Sequence, residues 1–117
     1  QIQGVIDAGP QGIAKAWVSF NGSGTVSIRD SFNVDSVTDN GTGEYTVNFT
    51  TPMANANYAA VASCSPDSSP AQLVAVMNFS GSSNSIVAPT TSACRFSTTS
   101  LGASSDAEYV YFAVFGS

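Results

Sequence analysis

Eight carboxylates, Asp7, Asp30, Asp35, Asp39, Asp67, Asp106, Glu44 and Glu108, carry most of the acid–base capacity of a chain without histidine. Asp30, Asp35 and Asp39 come nearest to a cluster. Two carboxylates about 5–10 Å apart could hydrolyse a glycosidic bond, and several together could hold Ca²⁺. Asp39, however, falls in a turn, where Asp commonly accepts from its own backbone, and the spacing matches no calcium loop. Turn formation and solvated surface are the favoured roles. Nucleophile schemes that rely on an imidazole base are closed to this chain. Cys64 and Cys94 fall short of the four ligands of a structural zinc site. They read as buried thiols acting as small apolar residues; a disulfide between them stays open, because it depends on a Cα separation that sequence does not give. No catalytic residue, metal or cofactor is expected. Trp17, the single tryptophan, admits two roles, a stacking platform for a sugar ring and a core or interface anchor. The second is favoured because it sits inside an apolar strand. Tyr109 and Tyr111 admit the same two roles, with subunit packing ahead.

The elements that must position these groups are strands. Of the 117 residues only 9% are charged, against about 25% for an ordinary soluble domain. Ser, Thr and Asn supply about a third of the chain, a bias that suits strands and turns. The net charge of −5, with three scattered basic residues, argues against nucleic acid, whose phosphates need clustered Lys and Arg. No apolar run is long enough to cross a bilayer, so membrane insertion is not expected. Residues 1–12, with Gly4, Gly9, Pro10 and Gly12, read as a connector, and 13–117 as one domain.

Alternation predicts a strand over 14–20, with Ala14, Ala16, Val18 and Phe20 on one face and Trp17 on the other. A second runs from Thr25 to Val34, with Asp30 breaking its apolar side, which points to a bulge, an edge or a carboxylate held by backbone N–H groups. A third covers Glu44–Thr50. Asn21-Gly22 and Asn40-Gly41 are hairpin signals, so these three strands read as one antiparallel meander. Further strands are expected over 58–64, 72–79, 85–88, 93–98 and 107–115. In the last, Tyr109, Tyr111, Ala113 and Phe115 oppose Val110, Phe112 and Val114. A strand apolar on both sides is buried on both sides; a neighbouring copy could supply the second cover. Turn signals about every ten residues mark an all-β antiparallel sandwich or barrel.

Residues Lys15 to Val26 and Ile28 to Val34, then Ser36 to Thr50, Ala56-Asn57-Tyr58 and Val114-Phe115-Gly116, resemble a segment found in many tailed-phage tail-fibre and related virion proteins. The likeness runs from about Pro10 onward and is looser after residue 65. It implies a jelly-roll-like β-sandwich at the distal tip of a homotrimeric fibre, packed about a threefold axis, with residues 1–12 ending the shaft. It carries no catalytic residue across and implies a non-enzymatic virion component of tail or capsid fibre. Its partners would be its own copies, other tail or capsid proteins, and a host-surface glycan or protein. The expected trimer interface holds Trp17, Tyr109, Tyr111 and Phe112. Receptor contact is expected from loops at 65–70, 80–85 and 97–105, through Asp67, Ser68, Ser69, Ser82, Ser83, Asn84, Ser104 and Ser105, whose polar groups suit glycan hydrogen bonding. The alternatives are a trimerisation cap or capsid-decorating fibre without a receptor site, and a fibre-borne glycan hydrolase.

Overall fold

The computed structural model describes residues 12–66, 72–100 and 103–116. Every element there is a strand: β1 (Ala16–Asn21), β2 (Ser27–Phe32), β3 (Val34–Gly41), β4 (Glu44–Phe49), β5 (Ala59–Cys64), β6 (Val74–Met77), β7 (Phe79–Ser80), β8 (Ser85–Ile86), β9 (Ala93–Ser100), β10 (Ala103–Ser104) and β11 (Val110–Phe115). Sheet A has the order β2-β1-β11-β5. In sheet B, β3 pairs β4 and β4 pairs β9; β10 continues β4's side of β9, and β6 takes the other side. β7 and β8 form a separate short hairpin. All pairings are antiparallel.

The two sheets share one core in a sandwich-like arrangement. Ala16, Val18 and Phe20 of β1 and Val110, Phe112 and Val114 of β11 face Tyr45, Val47 and Phe49 of β4 and Cys94 and Phe96 of β9. Period-two alternation delivers this directly, since every second side chain of a strand shares a face. Aromatic rings lock the layers together: Phe20 meets Tyr45 edge-on at 5.2 Å, and Phe96 stacks on Phe112 at 5.7 Å. Each such pair adds about 0.5–1.5 kcal/mol beyond area burial.

The expected single meander is instead two hairpins in different sheets. β1–β2 lies in sheet A and β3–β4 in sheet B, and the chain crosses between them at Asn33, whose φ is 55°. Asn tolerates this left-handed region better than most residues. Its amide donates to the carbonyls of Lys15 and Thr51, both at 3.1 Å, and accepts from Thr51 N at 2.7 Å. Asn33 therefore ties three chain segments together. Around Asp30 all three anticipated features occur. β2 is an edge strand, its register with β1 shifts between Ser19 and Phe20, and the carboxylate accepts from Ser31 N.

The second Asn-Gly signal is displaced by two residues. Gly41 pairs with Glu44, so the turn proper is Thr42-Gly43, and Gly43 takes the left-handed φ of 67°. Residues 99–100, expected only in the 97–105 loop, belong to β9 together with the expected strand 93–98, and Ser97, Thr98 and Thr99 are buried. They sit between neighbours on both edges, and that pairing outweighs the turn-like composition.

The chain enters and leaves the sheets at one end. Lys15 N donates to Val114 O there, and Phe115 pairs with Ala59. The turn after β1, the Thr42-Gly43 turn, Ser65 and Ser105 lie at the other end, where Gly22 N meets Ala107 O and Thr98 N meets Gly43 O.

Candidate functional site

The strands disperse the acidic trio. Asp30 lies on β2 in sheet A, and Asp35 and Asp39 on β3 in sheet B. Asp39 accepts from Gly41 N at 3.0 Å, as a turn Asp does. Among the described residues no three His, Cys, Asp or Glu side chains gather as metal ligands. The thiols are unbonded. Burial pushes Cys94 up to about 11, offset in part by a hydrogen bond with Tyr58, and raises Cys64. Neither thiol is therefore an activated nucleophile at neutral pH.

Asp106 has a structural task. Its Oδ1 accepts from Gly43 N at 2.7 Å and from Tyr45 Oη at 3.1 Å, while Tyr45 Oη also lies 2.9 Å from Gly22 O. This pin joins the turns of both sheets. Burial, with the neighbouring Asp106 charge, raises the Tyr45 phenol far above its ordinary value.

The candidate receptor loops divide. Asp67, Ser68 and Ser69 lie outside the described residues. Ser82, Ser83 and Asn84 form the turn of the β7–β8 hairpin, Ser104 ends β10 and Ser105 follows it. The hairpin folds back over the outer face of sheet B. Asn78, with φ 55°, reverses the chain after β6, and Ser97 Oγ donates to Phe79 O. The turn and β10 thereby meet, and Gly81 lies against Ser104.

Beneath them is an ion pair that the sequence did not announce. Arg95 Nη2 reaches Glu44 Oε1 at 2.6 Å and Ser80 Oγ at 3.2 Å, and both charged side chains are largely buried. Ser80 and Ser82 hydroxyls also donate to Glu44 Oε1, each at 3.4 Å. Arg95 Nε is buried without a partner. Glu44 and Arg95 stand 51 residues apart, and no local pattern joins them. The available hint was Glu44 opening the most regular alternating strand.

The outer face of sheet A is of a different kind. Phe32, Trp17, Ala113 and Val61 form one row across its four strands, and Asp30, Ser19, Tyr111 and Ser63 the next. Phe32 is 54%, Val61 54% and Tyr111 47% exposed, and Trp17 is half-buried. A groove of about 390 Å³ runs between Trp17, Val61 and Tyr111. At the chain-entry end a wider hollow of about 730 Å³ borders Ile13, Lys15, Phe32 and Thr51. Tyr109 lies on the same outer side, its ring covered by the Arg29 guanidinium at 4.2 Å. Arg29 also donates to Glu108 O at 2.9 Å. Phe112 does not belong to this face. It is 2% exposed and stacks on Phe96 in the core, because alternation along β11 turns it opposite to Tyr111.

Comparison with protein-family models gives no match, and neither the curated proteins nor the solved structures give one.

Proposed function

We propose that this domain is a jelly-roll-like β-sandwich at the tip of a homotrimeric phage fibre, a non-enzymatic virion component that recognises the host surface. The observation that carries this reading is the contrast between the two outer faces. Sheet A presents Phe32, Trp17, Tyr111 and Val61, a contiguous apolar surface of the kind that marks an interaction site. Over β3 and β4 sheet B presents Thr46, Asn48, Ser36 and Thr38, with Asn48 Nδ2 donating to both Ser36 and Thr38 hydroxyls, while Val74 on β6 and Ile86 on the hairpin are its exposed apolar side chains. In this reading copies associate through sheet A, using Trp17, Tyr111 and the flanking Tyr109. The polar face and the turns opposite the chain-entry end then stay free for host contact. Three copies let weak sites act together. The resemblance of residues 15–50 to phage-fibre segments supports the same conclusion.

Light scattering on the purified chain, followed by binding to bacterial cells and isolated envelope glycans, tests it. A trimer that binds is expected. A monomer at high concentration overturns the trimer, and a trimer that binds no envelope preparation overturns recognition. The latter outcome favours a trimerisation or capsid-decorating cap. That alternative has its own support, since the exposed Ser83 and Ser85 hydroxyls already bond each other at 2.7 Å.

A further inference from the structure

Asn40-Gly41, which the Thr42-Gly43 turn does not use, is left on the surface in a reactive arrangement. Asn40 faces no residue of β4, because the register of β3 shifts between Asp39 and Gly41, and a bulged residue of this kind is released from the ladder. Asp39, Asn40 and Gly41 are all exposed. A Cβ placed on Gly41 would meet nothing within 4 Å. Two hydrogen bonds act on this dipeptide. Gly41 N donates to Asp39 Oδ1 at 3.0 Å, and Thr46 Oγ1 donates to Asn40 Oδ1 at 2.6 Å. A carboxylate thus takes hold of the backbone N–H that follows Asn40, while a hydroxyl polarises the carbonyl of the Asn40 side chain.

We propose that Asn40 is a self-modification site, where the folded chain deamidates through a cyclic imide. Gly41 N bonds to Asn40 Cγ while its proton passes to Asp39, a general base already within hydrogen-bond reach. Charge gathers on Asn40 Oδ1, where the Thr46 hydroxyl stabilises it. The Cγ–Nδ2 bond then breaks, and Nδ2 recovers the proton from Asp39 and leaves as ammonia. Water next opens the imide at either of its carbonyls. Opening at Cγ leaves aspartate; opening at the backbone carbonyl leaves isoaspartate, with the main chain rerouted through Cγ. Either product adds negative charge beside Asp39, at the end of the molecule away from the chain entry. The chain carries its own comparison in Asn21-Gly22. The Asn21 carbonyl is also bonded, by Ser23 N at 2.8 Å, so the difference lies in the nucleophile. Gly22 is buried, and its N is committed to Ala107 O at 2.9 Å. Cyclisation there has to wait for local opening of the fold.

The test is ageing of the whole chain in mildly alkaline buffer, folded and in urea, followed by peptide mapping in a mass spectrometer. In the folded chain the Asn40 peptide should gain about 1 Da, the exchange of NH2 for OH, with isoaspartate detected by enzymatic methylation. It should do so about tenfold or more faster than the Asn21 peptide. In urea the two rates should converge, and the folded rate at Asn40 should not fall below its rate in urea. Thr46→Val and Asp39→Ala, at exposed or half-buried positions, should each slow conversion of Asn40 in the folded chain and leave the rate in urea unchanged. Equal rates at the two sites in the folded chain, or an Asn40 that the fold protects relative to urea, overturn the site. Variants that convert as fast as the wild type when folded overturn the roles of Asp39 and Thr46.

Discussion

Gly43 is held in left-handed backbone where two other segments press against it. With φ at 67°, a Cβ would lie 2.5 Å from Ser105 N, 2.6 Å from Ser105 O and 2.7 Å from Thr98 O. Those are backbone atoms of two other segments and cannot swing aside. Gly43→Val is therefore expected to cost well over the roughly 1–2 kcal/mol of left-handed strain alone. Gly24→Ala, at φ 63° in open space, should cost about that strain and little more. Urea unfolding of the two variants checks the difference. Cys94 provides a pH test. Its thiol is pushed from 9.0 up to about 11 by burial, so the unfolded chain loses this proton before the folded one does. The associated stability is intact below pH 9 and is lost as pH rises through 11, with the raised Cys64 acting in the same direction. The melting temperature should decline above pH 9, and Cys94→Ala should flatten that decline between pH 9 and 11. Asn33 shows what was hidden at this scale. Apolar alternation from Val26 to Val34, broken only at Asp30, continues past it, and its left-handed turn is fixed by the carbonyls of Lys15 and Thr51, which are distant in sequence.

The β7–β8 hairpin shows how an element with little pairing of its own can be secured. Its ladder joins only Phe79 to Ile86 and Ser80 to Ser85, and an isolated hairpin of this kind is marginal in water. Ser80 and Ser82 bind it to Glu44, and Ser97 binds it through Phe79 O. Removing Arg95 alone leaves a buried, uncompensated carboxylate. Arg95→Met should destabilise the domain by about 3–5 kcal/mol, and Glu44→Gln added to it should restore much of that loss. A double-mutant cycle in urea measures the coupling. The regular strands were legible because one sheet face is buried and alternation reports it, as Tyr45, Val47 and Phe49 illustrate. Strand β9 was legible only in part. Ser97 to Ser100 have loop composition, yet β6 and β10 pair with this stretch from opposite sides. The convergence of the hairpin turn with β10 over Glu44 was not legible, since it depends on the reversal at Asn78.

At the scale of the whole molecule the outer face of sheet A is apolar around Trp17, Phe32, Val61 and Tyr111, and substitution should separate the two sides of β11. Tyr111→Asp, at a side chain 47% exposed, should leave a folded chain and abolish self-association in light scattering. Phe112→Asp places a charge inside the aromatic core and should prevent folding. If Tyr111→Asp leaves a trimer of unchanged stability, the copies do not meet through this face. The two-sided apolar pattern of β11 was visible from the sequence, but alternation could not say that Phe112 faces the core and Tyr111 the outside. That assignment needed the strand's neighbours, and β11 lies between β1 and β5 in sheet A. This central position also orders events in time. During synthesis β1–β2 and β3–β4 can close as soon as they emerge, whereas β1 and β5 have no shared neighbour until residues 110–115 are made. Pairing such as Ala16 with Val114 spans most of the chain, and non-local pairing slows folding. Until it forms, β1 and β5 expose unpaired edges during translation, the interval in which nascent copies are most exposed to aggregation.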